Sequence, residues 1–127
     1  MRKIELDMID GIYRLLENPK ARAFTRDNTT VRAGETSELP GVTNIGVYLH
    51  GNHIADIYAK AGRVILIRVS NAGWGTVTTR SRLNAIIHTY CDPQTHGVYQ
   101  RDYEQYIMVD GDDFIMEPGR WYTVFEL

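Results

Sequence analysis

The stretch from Asn44 to Ser70, NIGVYLHGNHIADIYAKAGRVILIRVS, decides the fold. Ile45–Leu49 has the residue types of a strand and runs into Gly51-Asn52, a dipeptide suited to a tight hairpin turn. His53–Tyr58 reads as a second strand, Lys60-Ala61-Gly62 turns the chain again, and Arg63–Ser70 is a third. In that third strand Ile65, Ile67 and Val69 share one face, while Val64, Leu66 and Arg68 share the other. Apolar residues on both faces predict a central strand covered on each side. Connections this short join antiparallel neighbours, so the three form a meander.

Downstream, Asn71-Ala-Gly-Trp-Gly75 breaks the strand pattern. Leu83, Ile86, Ile87 and Tyr90 then recur at helical spacing, which predicts a helix from about Thr79 to Tyr90 with a core-facing stripe. Thr78 or Thr79 is the expected N-cap, and Asp92-Pro93 ends the helix. Upstream, Met8, Ile9, Ile12, Tyr13, Leu15 and Leu16 predict an N-terminal helix stopped by Asn18-Pro19 and weakened slightly by Gly11. Between these, ARAFTRDNTTVRAG reads as two short strands around Asp27-Asn28, and residues 35–44 as a loop. The tail is expected to be all β, with strands near Val98–Arg101, Glu104–Val109, Phe114–Met116 and Trp121–Phe125. Its turns fall at Asp110-Gly111-Asp112 and at Glu117 to Arg120. The whole predicts an α+β domain: a curved antiparallel sheet, one helix before it and one inserted mid-chain.

Bulk properties narrow the function classes. A chain of 127 residues is of single-domain size, and 43% apolar with 24% charged residues excludes a disordered or membrane-spanning protein. With a net charge of -2 there is no global attraction to polyanions, so any anion site must be a local cluster. The single cysteine, Cys91, rules out an internal disulfide framework. No signal-type apolar run occurs at the N-terminus, so a cytoplasmic protein is expected.

The candidate site is AGWGTVTTRSRLNAII, residues 72–87. A helix N-terminus carries partial positive charge and normally attracts Asp or Glu into its first turn. Here that region holds Arg80 and Arg82 and no carboxylate. Free backbone N–H groups, the hydroxyls of Thr78, Thr79 and Ser81, and two guanidinium groups together suit a phosphate. Gly73 and Gly75 would let such a ligand approach the backbone, and Trp74 could stack on a base. Arg80, Asn84 and His88 lie four apart and would form one solvent-side stripe. A purely structural account fits the same residues: a cap at Thr78, a core Trp74, and arginines paired with acidic residues on a neighbouring strand.

Other constellations are weaker. His50 and His53 flank a turn, and His88, Cys91 and His96 follow later, but their spacings match no zinc motif, so no metal is expected. Nothing in the sequence activates Cys91 or supplies a nucleophile–base set around His50 or His53, which argues against an enzyme. Asp110, Asp112 and Asp113 read as turn residues rather than a calcium loop. No cofactor motif occurs; the site lacks the spacing of a P-loop or a dinucleotide fingerprint. Tyr99, Tyr103, Tyr106 and Tyr122 crowd the C-terminal strands, where they suit sheet faces and interfaces.

Three runs together, GVYLHGNHIADI, RVILIRVSNAGWGTVTTRSRLNAII and GVYQRDYEQYI, resemble a family of small accessory proteins of tailed bacteriophages. The matching positions are Leu49, His50, Gly51, Asn52, Ile54 and Ala55, then Gly73, Trp74, Thr76, Thr78, Thr79, Arg82, Leu83 and Asn84, and last Gln100, Arg101 and Tyr106. The resemblance covers the middle of the chain and implies provenance, a protein made inside a bacterial host, without importing an activity. The leading expectation is therefore a non-enzymatic phage protein that binds nucleic acid or a nucleotide through Trp74, Thr78, Thr79, Arg80, Arg82 and Asn84. His50 and Asn52 would complete a polar cleft if the meander packs beside the helix start. The alternative is a protein–protein inhibitor of a host enzyme or defence complex, using the tyrosine-rich tail with Asp110, Asp112, Asp113 and Glu117. A homodimer is expected from exposed strand edges, and no membrane partner.

Overall fold

The hairpins begin where pairs of residues adopt positive φ, the geometry that tight two-residue turns require. Such pairs occur at Asp27-Asn28, His50-Gly51, Ala61-Gly62, Asp102-Tyr103 and Asp110-Gly111. The computed structural model describes residues 1–34 and 39–127. Part of the expected loop, residues 35–38, lies outside them. Within the described residues the order is α1 (Lys3–Glu17), β1 (Phe24–Arg26), β2 (Thr29–Ala33), β3 (Val42–Leu49), β4 (Asn52–Lys60), β5 (Arg63–Val69), α2 (Val77–Tyr90), β6 (Gly97–Arg101), β7 (Glu104–Val109), β8 (Asp112–Ile115) and β9 (Tyr122–Glu126).

The α+β class holds, and the meander is antiparallel as its short turns require. It sits in a six-stranded sheet of order β1-β2-β3-β4-β5-β9. The tail is divided: β6, β7 and β8 form a separate three-stranded sheet, and β9 returns to pair with β5. Both helices pack on one face of the larger sheet. Met8, Ile12, Leu15, Leu83, Ile86 and Ile87 meet Val31, Ile45, Val47, Ile57, Ile67 and Val69, all fully buried. Each such side chain contributes roughly 1.5–3 kcal/mol relative to exposure. Gly11 has a reason to be glycine, because a Cβ there would sit 3.0 Å from Phe24 Cβ, where β1 crosses α1.

Several local expectations are corrected. The β3–β4 turn centres on His50-Gly51, and Asn52 already pairs with Leu49, because both central residues must take positive φ. β3 begins at Val42, inside the expected loop. α2 is capped by Thr76, whose Oγ1 accepts the Thr79 N–H at 3.1 Å, so neither Thr78 nor Thr79 is the cap. β5 is central by pairing but covered on one side only. Ile67 and Val69 are buried under the helices, whereas Leu66 and Arg68 are half-buried on a face no helix covers. A register shift between Tyr58 and Ala59 pairs Ala59 with Val64 and turns Val64 toward the helices, against Tyr13, Leu16 and Tyr90.

Candidate functional site

The segment after β5 is folded by its own polar side chains. Asn71 Oδ1 accepts the N–H of Gly73 at 2.9 Å and of Gly119 at 3.1 Å, and Ser70 Oγ accepts the Ala72 N–H at 3.0 Å. Ala72 and Gly73 both take positive φ. This tight turn throws Trp74 outward, where it is 56% exposed, so Trp74 is not a core residue. The turn also sets the start of α2 beside the β3–β4 hairpin.

Between them lies a cavity of about 340 Å³, lined by Leu49, His50, Asn52, Ile54, Asn71, Trp74, Thr76, Thr78 and Thr79. Five of the eight residues singled out from sequence therefore meet at one place: His50, Asn52, Trp74, Thr78 and Thr79. Leu49 and Ile54 give the cavity an apolar floor, and the hairpin and helix start wall it with a mostly apolar surface broken by a few polar groups. A volume of this size suits a small molecule. By helix geometry the N–H groups of Val77 and Thr78 have no intrahelical acceptor and open toward that end. Of the three hydroxyls, Thr79 Oγ1 is held by Thr76 Oγ1 at 2.9 Å and Ser81 bonds Glu5 and Arg2. Thr78 is the one without a hydrogen bond among the described residues.

The remaining three sequence candidates point elsewhere. Arg80 Nη1 donates to Gly75 O at 3.1 Å and to Gln105 Oε1 at 2.8 Å, which ties the helix start to β7. Arg82 is only 4% exposed; its Nε donates to Thr29 Oγ1 at 3.1 Å and its Nη1 lies 3.9 Å from Glu5 Oε1. The acidic partner of Arg82 thus comes from α1, not from a neighbouring strand. Burial and the nearby Arg2 charge push the Arg82 guanidinium below its ordinary value, while Glu5 and Asp27 hold it up. Asn84 reads the backbone of β6, donating to Val98 O at 2.9 Å and accepting the Val98 N–H at 2.8 Å. His88 bonds His96 O at 2.9 Å, so the Arg80, Asn84 and His88 stripe faces the second sheet rather than solvent. Gly75 is small for the same reason: a Cβ would meet Gln105 Cγ at 2.9 Å. Its closeness serves β7, not a ligand.

The lining residues that sequence reasoning passed over are Leu49, Ile54, Asn71 and Thr76. Two of them carried a signal. Thr76 stands three before Thr79, the spacing of a cap and the N–H it accepts, and Asn71-Ala-Gly is an Asx-turn sequence.

The histidines do not converge. His50 lines the cavity, whereas His53 faces the opposite side of the sheet, stacked on Tyr48 with ring centroids 4.6 Å apart. Among the described residues no three or more His, Cys, Asp or Glu side chains stand close enough to hold a metal ion. Burial, with Asp110 nearby, pushes the Cys91 thiol up, and its Sγ contacts Val124 O at 3.5 Å. Asp113 accepts the Tyr99 hydroxyl at 2.7 Å, and that bond, ahead of burial, raises the Tyr99 pKa. Among the described residues no helix is long and apolar enough to cross a membrane.

Two sheets, two helices and a cavity of small-molecule size at a helix start define the chain as a small α+β protein. The model of the Kyanoviridae Gp96 protein family matches residues 1–125, and the chain belongs to that family of phage proteins. The match includes residues 1–40, outside the resemblance first noted. No curated protein and no solved structure matches the chain.

Proposed function

We propose that this phage protein is a non-enzymatic accessory factor that binds a small phosphate-bearing ligand, a nucleotide, in the cavity at the start of α2, acting in the host cytoplasm. One observation carries the reading: His50 and Asn52 of one hairpin meet Trp74, Thr76 and Thr78 over an apolar floor in about 340 Å³. The floor and Trp74 suit a base, and the helix-start N–H groups with the Thr78 hydroxyl suit a phosphate. Arg80 and Arg82 stay outside the cavity and hold the start of α2 in place, through Gln105 of β7 and through Thr29 and Glu5. A nucleotide that serves as a host defence signal fits this chemistry and would make the protein a counter-defence factor.

The test is calorimetric titration of a panel of mononucleotides and cyclic nucleotides, with absorbance near 260 nm read on ligand extracted from the purified protein. Trp74→Ala and Thr78→Val should each weaken binding at least tenfold without lowering stability. Failure of every nucleotide to bind would sink the reading.

A second reading has its own support. Residues 97–120 carry Arg101 and Arg120 against Asp102, Glu104, Asp110, Asp112, Asp113 and Glu117. On this acidic sheet Tyr103 is 95% exposed, and Phe114 and Ile115 of the edge strand β8 are 51% and 57% exposed. Such a surface suits inhibition of a host protein through a basic, apolar patch.

A further inference from the structure

The face of the six-stranded sheet turned away from the helices carries its own cluster. Arg32, Gly46, Asp56, Arg68 and Thr123 are register partners in one line across five strands. Gly46 keeps that line low: a Cβ there would stand 3.0 Å from the Tyr48 ring, which folds across it. Arg32 lies 4.2 Å above the same ring, and Trp121 meets His53 edge-on at 4.8 Å. Asp56, 4% exposed, accepts from His53 Nε2 at 2.8 Å and Arg68 Nη2 at 3.3 Å, and Arg68 also donates to Tyr58 OH at 3.0 Å. The Arg68 Nε is buried with no hydrogen-bond partner among the described residues.

Farther along the same face Lys60 pairs directly with Arg63. Like charges placed opposite each other destabilise a sheet. Among the described residues no carboxylate lies within ion-pair distance of Arg32, Lys60 or Arg63. Among the described residues the face thus gathers Arg32, Lys60, Arg63 and Arg68 against Asp56 and Glu126, in a chain whose net charge is -2. Four residues of β4 separate the Asp56 line from Lys60, about 13 Å, with Tyr58 between. Such a track is long for one phosphate and suits a chain of them.

We propose that this open sheet face binds a single strand of nucleic acid, its phosphates running from Lys60 and Arg63 toward Arg32 and its bases resting on Tyr58 and Trp121. Rings interleaved with cations favour unpaired bases over an acidic protein, because every base offers a face to stack. Among the described residues no helix packs on this face to enter a duplex groove. The site lies on the opposite side of the sheet from the nucleotide cavity and stands independently of it.

Fluorescence anisotropy of labelled oligo(dT) and oligo(U), about twenty nucleotides long, tests the proposal. Neutralising three phosphates, binding should weaken about 20-fold between about 50 and 200 mM salt. Lys60→Glu places a carboxylate opposite Arg63, so the fold should be as stable as before or more so, while affinity falls at least tenfold. Trp74→Ala should leave this binding unchanged. The proposal is overturned if neither oligonucleotide binds at low salt, or if Lys60→Glu binds like the parent. It is equally overturned if poly-glutamate displaces the probe as readily as unlabelled oligo(dT), which would assign the face to an acidic protein.

Discussion

Replacing Arg82 by Met removes one half of a buried ion pair and separates two accounts of the helix start. Arg82 is 4% exposed and Glu5 5%, and the pair joins α2 to α1 while Arg82 also bonds Thr29 of β2. Breaking a buried pair from one side costs about 3–5 kcal/mol, because the other charge stays buried. Three features of this site lower that figure. Glu5 keeps donors from Ser81 and from the Arg2 backbone and side chain. The Arg82 Nη1, which has no hydrogen-bond partner, is itself costly to bury, and Met refills the stem. The expected loss is therefore about 2–3 kcal/mol, a large share of the ~5–15 kcal/mol that holds a domain folded. Arg82→Glu should be worse, at 4 kcal/mol or more by the same reckoning, because it sets two buried carboxylates together. Helix-dipole reasoning alone expects the reverse, a neutral or stabilising change. Urea unfolding followed by tryptophan fluorescence measures both, and the double variant Glu5→Gln/Arg82→Met should recover most of the single loss, since Gln still caps α1. A loss below about 0.5 kcal/mol for Arg82→Met, or strict additivity in the double variant, would refute the buried-pair account.

Acid should probe the same network: burial pushes the Glu5 carboxyl up, but the Ser81 and Arg2 donors outweigh it and hold the carboxyl below its ordinary value. Its contribution is then fully present above the unfolded value of about 4.3 and lost as pH falls through the lower folded value. Melting temperatures from about pH 6 to 2 should drop less steeply in Glu5→Gln than in the parent. Ile86→Asp, at a fully buried position under the sheet, should cost about 4 kcal/mol or more, and an unchanged urea midpoint would remove Ile86 from the core. Gly11→Ala should destabilise by about 1–2 kcal/mol despite alanine's helix propensity, because Phe24 occupies the space; a rise in stability would show that β1 yields instead.

The meander and both helices were legible in the sequence because each is a local matter. Strand-type residues along Ile45–Leu49, turn residues at Ala61-Gly62, and the Leu83, Ile86, Ile87 stripe report on neighbours a few residues away. Membership in a phage family was legible too, through runs of residues that need no coordinates. Which side of the sheet the helices cover was not, since Leu66 on β5 is as apolar as Ile67 and only packing tells them apart. Nor could the tail announce that β6–β8 form their own sheet while β9 crosses to β5, because strand pairing between distant segments leaves no periodicity.

The candidate site divides along the same line. His50, Asn52, Trp74, Thr78 and Thr79 could be named from residue type, yet only the hairpin's placement beside α2 gathers them around one cavity. Arg80 and Arg82 looked alike in sequence, two cations at a helix start. Tertiary structure sent one to Gln105 and buried the other against Glu5, which stands 77 residues earlier and which no local rule could pair with it. Sequence determined what each segment would become; the partner of each charge was decided by which distant segment folding brought within reach.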